Sequence, residues 1–185
     1  MIADPRKREL HMRQSLKKQI LSAWTMTAHV RGWIRVSKFL ADRIPVLGRL
    51  LSMFLDRLLL LVYGVDVTSQ NMFVADLRIP HPVGVLLGGN GMHSCGTVVI
   101  NSGVKFVGRS PANPDYLERH ALKRVFEIGH NVVFGANTVV VGPVTICDNV
   151  VVATMSLVNK DITEPGVYAG VPLRKISNQI THEWI

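Results

Sequence analysis

Residues 128–162 fall into sixes: IGHNVV, FGANTV, VVGPVT, ICDNVV, VATMSL and VNKDI. The leading positions, Ile128, Phe134, Val140, Ile146, Val152 and Val158, are bulky and apolar in unbroken register. The next position is mostly small: Gly129, Gly135, Cys147 and Ala153, with Val141 and Asn159 as exceptions. The fifth position holds Val132, Thr138, Val144, Val150, Ser156 and Ile162. A period of six is neither the 3.6 of a helix face nor the 2 of a half-buried strand. It is the period of a hexapeptide β-helix, in which each hexad forms one flat side and three sides close a triangular coil. The leading side chain then points into the prism, and backbone groups pair between coils about 4.8 Å apart. A small second residue suits the tight corner. The fold expected is mainly β, a left-handed parallel β-helix.

Upstream the pattern recurs in Val98 and Val104, and again in Ile100 and Phe106, each pair six apart. Between these and Ile128 it fails. Residues 108–124, GRSPANPDYLERHALKR, are polar, charged and proline-bearing, and read as a loop thrown out of one corner. Long loops inside compact domains are usually functional or disordered. Residues 1–64 read as a helical N-terminal region. One helix is expected from about Ser22 to Ala41, with Trp24, Val30, Ile34 and Leu40 on a loose apolar face and Gly32 weakening it. A second is bracketed by Pro45 and Gly64, and Leu47, Leu50, Leu51, Phe54, Leu58 and Leu61 form one stripe on it. The expected domains are therefore 1–64 helical, 65–172 β-helix and 173–185 a C-terminal tail.

Composition agrees with stacked thin layers: the 185 residues are 48% hydrophobic but only 6% aromatic. Two cysteines, Cys95 and Cys147, are too few for a disulfide framework and suggest a reducing compartment. Residues 1–60 hold twelve Lys/Arg and four Asp/Glu, while 61–185 hold nine of each, so the whole net charge of +8 lies in the N-terminal third. That excess reads either as a solvated helical face or as attraction to an anionic surface. No nucleic-acid module signature is present, and no nucleic-acid partner is expected. The N-terminus is charged through Lys18 and shows no signal-peptide pattern. Residues 46–63 carry Arg49, Asp56 and Arg57, too charged for a membrane span. The expected location is cytoplasmic, with peripheral membrane association through residues 1–64 left open.

Three stretches resemble the hexapeptide-repeat acyltransferases, in particular the serine acetyltransferase branch and its relatives that acetylate envelope polysaccharides, of the colanic acid acetyltransferase type. In DVTSQNMFVADLRIPHPVGVLLG, residues 66–88, Asp66 and His81 stand fifteen apart, with Gly84, Val85 and Gly88 following. The hexads are the second stretch. YAGVPLRKI, residues 168–176, resembles the family's closing Ala-Gly-x-Pro turn. The resemblance implies an acetyl-CoA-dependent O-acetyltransferase, a homotrimer with the CoA groove between neighbouring prisms, and no metal. Pro80 departs from the branch, where an Asp before the catalytic His contacts the amino-acid acceptor. Together with the short helical region, it argues for a sugar or polysaccharide precursor rather than serine, and serine O-acetyltransferase is the alternative. Arg119-His120 is a loose match to the family's second Arg-His.

The chemistry fits these residues. An alcohol is a poor nucleophile until it loses its proton, and histidine, with an ordinary pKa near 6.5, can accept it. An acidic partner on the other ring nitrogen fixes the tautomer. His81 is accordingly assigned as base and Asp66 as its orienter. His120 and Arg119 are candidates for substrate binding. Arg174 and Lys175 are candidates for the CoA phosphates, and Ala153 and Gly170 permit close approach of the pantetheine arm. His93 and His130 are placed at coil corners as structural residues. A metal-dependent hydratase on the same prism, needing three His ligands, and a bare scaffold are the remaining alternatives.

Overall fold

The computed structural model describes residues 25–87, 89–109, 112 and 114–179. Within them the hexads form the prism that their period requires. One face is a parallel sheet ordered β1 (Val65–Val67), β3 (Val85–Leu87), β5 (Lys105–Gly108), β8 (Val139–Gly142) and β11 (Leu157–Val158). The second face stacks the front halves of β2 (Met72–Arg78) and β4 (Met92–Ile100) on β6 (Phe126–Ile128) and β9 (Val144–Ile146). The third stacks their back halves on β7 (Val132–Phe134), β10 (Val150–Val152) and β12 (Gly166–Ala169).

The register measures the coil directly. Phe126 lies against Val144, Val132 against Val150 and Val139 against Leu157, each partner eighteen residues on. Met92 pairs with Phe126, thirty-four residues on, so this coil holds sixteen extra residues. Those extra residues are the excursion at 108–124. It is not wholly loop, because α3 (Pro114–Ala121) lies inside it. The Tyr116 hydroxyl donates to Asn90 Oδ1 at 2.9 Å and Arg119 Nη1 to Thr145 Oγ1 at 3.2 Å, which docks the helix on the prism. Ser110, Pro111 and Asn113 lie outside the described residues.

The six leading side chains are 0–5% exposed. Phe106, Phe126 and Phe134, one from each face of a single coil, meet edge-on at 5.1 Å along the axis, a favoured ring geometry. The small second position has a specific cause. A Cβ at Gly135 would stand 2.5 Å from Thr154 N, and one at Gly129 2.6 Å from Asp148 N. It is the backbone of the next coil that leaves no room. One corner repeats a left-handed residue in every coil: Gly64, Gly84, Gly103, Asn137 and Met155, with φ of 59–75°. Glycine and asparagine tolerate that conformation best.

Two helices precede the prism: α1 (Met26–Arg43) and α2 (Leu47–Tyr63). Thr25 Oγ1 accepts from Ala28 N to cap α1, and Gly64 closes α2 in the left-handed conformation. Ser22, Trp24 and the basic residues of 1–24 lie outside the described residues, as does Gly88. The stripe on α2 points outward, and Gly48, Ser52, Asp56 and Leu59 face inward instead. The reason is backbone proximity at one end: a Cβ on Gly48 would stand 2.1 Å from Leu40 O, so no side chain fits at that point, and small Ser52 is buried one turn on.

Two acidic residues lock this hairpin to its surroundings. Buried Asp56 accepts from Ser37 Oγ at 2.8 Å, Ser69 Oγ at 2.5 Å and Ser69 N at 2.9 Å. Asp76 on β2 accepts from Arg31 on α1 at 2.7 Å and from Thr97 on β4 at 3.2 Å. At the other end, residues expected in the tail form β13 (Arg174–Ser177), antiparallel to β12. Residues 180–185 lie outside the described residues.

Candidate functional site

His81 sits on the turn between β2 and β3, at the corner joining the third face to the first. The same corner in later coils is made by Asn101 and Ser102, Gly135 and Ala136, then Ala153 and Thr154. These residues, with Val133, Val151, Val152 and Val167 of the third face, line a groove of about 560 Å³ that His81 shares. From His81 to Thr154 the groove crosses three coil steps, about 14 Å at the inter-strand spacing. Its floor is valine and its wall is small residues, a shape and polarity suited to a long, mostly apolar arm. The imidazole is exposed and makes no hydrogen bond among the described residues. Both ring nitrogens therefore face open space beside the groove.

The sequence-assigned residues do not all gather here. Asp66, on β1, is half-buried, and its carboxylate faces Arg57 at 3.8 Å rather than His81. The two residues nonetheless flank one corner, where Gly84 N donates to Gly64 O at 3.0 Å. Ala153 lines the groove. Gly170 lies in the closing turn, its N–H donating to Ser156 Oγ at 3.0 Å. Arg174 and Lys175 lie on β13, paired with Ala169 and Tyr168. The Lys175 ammonium is held by Glu164 at 2.9 Å, which raises its pKa above the ordinary lysine value. Arg174 is exposed and without a partner among the described residues.

Arg119 and His120 lie on α3, away from the His81 groove. The His120 ring tilts against Tyr116 at 5.4 Å, and Arg119 also pairs with Asp115 at 3.4 Å. Arg119 reaches the second face, beside a cleft of about 310 Å³ lined by Phe73, His93, Cys95, Arg124, Glu127 and Thr145, among others. His93 therefore stands on a face and not at a corner, paired in register with Phe73 and Glu127. Its ring stacks on Phe73 at 4.4 Å and its Nε2 is buried without a partner. Burial, and then the Arg124 charge, hold His93 below the ordinary histidine pKa, against the pull of the Lys123 carbonyl and Glu127. His130 does occupy a corner. Burial pushes the Cys147 thiol above its usual range, so it is no ready nucleophile. Among the described residues no three His, Cys, Asp or Glu gather as metal ligands.

Most of the groove wall escaped the sequence reading. One signal was available: Val133 and Val151, eighteen apart, occupy the outward sixth position of their hexads, where solvent would favour a polar residue.

No protein-family model and no curated protein matches the chain. Solved structures do. A serine O-acetyltransferase from Brucella melitensis, a bacterial transferase hexapeptide repeat, superposes with a TM-score of 0.67 at 19% identity, over 83% of this chain and 56% of that one. The serine acetyltransferase of Neisseria gonorrhoeae gives 0.69 at 21% identity, over 87% and 59%. A serine acetyltransferase in complex with CoA gives 0.61 at 18% identity, over 80% and 56%. The chain thus spans less than two thirds of the length of each of these structures. At these identities the likeness is one of fold: a left-handed parallel β-helix of hexapeptide repeats preceded by helices.

Proposed function

We propose that this chain is an acyltransferase that moves an acetyl group from acetyl-CoA to a hydroxyl, with His81 as general base. The observation that carries this is an exposed imidazole, free of internal hydrogen bonds, at one end of an elongated groove walled by valine and small residues. A fold neighbour solved with CoA supports the choice of donor. In the reaction, His81 takes the proton of the acceptor hydroxyl as its oxygen attacks the thioester carbonyl. The tetrahedral intermediate collapses, the C–S bond breaks, and the imidazolium returns the proton to the departing thiolate. General-base help of this kind is worth about 10²–10⁴-fold.

Asp66 is proposed as the positioning partner of His81, which requires its carboxylate to exchange Arg57 for the imidazole. Arg174, Lys175, Ala153 and Gly170 are proposed contacts of CoA. A homotrimer is part of the same proposal, since the groove is open on one side and Arg119 and His120 lie on another part of the prism. A neighbouring copy would close the groove and could bring its own Arg119 and His120 to the acceptor. The chemistry is proposed to be cytoplasmic, where acetyl-CoA is at hand.

The acceptor proposed is a sugar or polysaccharide-precursor hydroxyl, because Pro80 offers no charge to an amino acid. Serine is the second reading, favoured by the identity of the fold neighbours. A thiol-release assay with acetyl-CoA against serine, free sugars, nucleotide sugars and oligosaccharides separates them. Turnover on a saccharide that falls by about 10²–10⁴-fold in His81→Ala is expected. Turnover on serine alone rejects the sugar acceptor, and unchanged turnover in His81→Ala rejects the base.

A further inference from the structure

Helix α2 wears its apolar stripe on the outside. Leu47, Leu50, Phe54 and Leu61 are 58–80% exposed, whereas Ser52 and Asp56 are buried. Contiguous exposed apolar surface of this kind marks an interaction site. The helix cannot roll to hide it, because at Gly48 the inward face meets the α1 backbone and has no room for a side chain. The stripe is buried only if something outside the described residues covers it.

Charge chooses the occupant. Residues 25–64 hold six Lys/Arg against two Asp/Glu, a net +4, of which Arg31 is paired with Asp76 and Arg57 with Asp66 of the prism. Arg57, its side chain 72% exposed, stands at the edge of the stripe with its guanidinium 3.8 Å from Asp66, and Arg43 is exposed at the end of α1. A second copy laid face to face would bring the exposed arginines of two hairpins together with no exposed acid on the stripe to meet them. An anionic bilayer offers both an acyl boundary for the leucines and negative headgroups for the arginines. No described helix is long and apolar enough to cross a membrane, so the geometry is that of a helix lying in the interface. We propose that the outer face of α2 docks onto an anionic lipid surface.

Docking there has a consequence for the site. Gly64, which ends α2, accepts from Gly84 N at 3.0 Å, so Leu61, Val62 and exposed Val83 flank the His81 turn. On the acetyl-transfer reading, which this clause alone rests on, the acceptor hydroxyl is presented by a membrane-held molecule.

The test is cosedimentation of the full chain with phosphatidylcholine vesicles, with and without phosphatidylglycerol. Binding that requires phosphatidylglycerol is expected. It should fall about ten-fold in Leu50→Gln/Phe54→Gln/Leu61→Gln and roughly five-fold in Arg57→Gln, with melting temperature and assembly mass unchanged. Three results overturn the proposal: no binding to either vesicle, a triple variant that binds like the parent, or a triple variant whose assembly mass drops, which assigns the face to a second copy. Vesicle binding is read without substrate. A chain that binds but releases no thiol keeps the docking face and loses only the acceptor clause.

Discussion

Replacing Gly135 by alanine adds one methyl group where the prism has no space for it. The new Cβ would stand 2.5 Å from Thr154 N, 2.8 Å from Ala153 C and 3.0 Å from Val152 O. All three are backbone atoms of the next coil, so no side chain can rotate away. Opening the closest of these to 3.4 Å moves the coils apart by about 0.9 Å at that corner. The movement strains the bonds that join them: Gly135 N to Val152 O at 2.7 Å and Met155 N to Ala136 O at 3.0 Å. Overpacking of this kind costs about 1–3 kcal/mol. For a chain of this size that lowers the melting temperature by roughly 2–12 °C. The same substitution at Gly32 has the opposite sign. That glycine lies in the exposed interior of α1 with nothing within 4 Å of a built Cβ, so alanine gains helix propensity, up to about 1 kcal/mol, or roughly 2–4 °C. Thermal unfolding followed by circular dichroism, supported by urea titration, reads both. A Gly135→Ala protein that melts with the parent refutes the account of the small second position. So does a Gly32→Ala protein that loses as much as Gly135→Ala.

Other outcomes follow from the same contacts. Asp56→Ala strands the Ser69 N–H and hydroxyl in a buried site and should cost about 2–4 kcal/mol in urea unfolding, with Asp56→Asn losing less. His93 is held below the ordinary value of 6.5, so the unfolded chain binds its proton first. Stability is then complete above pH 6.5 and declines as pH falls from there toward the folded pKa. His93→Gln should flatten that limb of the urea midpoint against pH. For acetyl-CoA, Arg174→Ala should raise KM by about ten-fold with kcat unchanged, as loss of the proposed charge-assisted phosphate contact implies. Lys175→Ala should change it less, because Glu164 already holds that ammonium.

The prism was legible in the sequence because its constraint is local and repeated. Every inward position must meet its own equivalent one coil away, so each hexad restates the same demand, and the eighteen-residue register of Phe126 with Val144 is the result. His81 was legible for a different reason: its turn, between two prolines and fifteen residues after Asp66, resembles a family motif. What the sequence could not reveal is whatever depends on neighbours far along the chain. Asn101, Ala136 and Thr154 reach the His81 groove from three different coils, across a sixteen-residue excursion, and corner residues carry no hydrophobic signature to align them. His93 read as a corner residue because the hexads are unclear upstream of the excursion, and only strand pairing put it on a face. The leucine stripe of α2 was plain in the periodicity, but its direction was not. A period says which side chains share a face. Which way that face points was decided by the close approach of Gly48 to the Leu40 carbonyl, a contact between two backbones that only the folded chain contains.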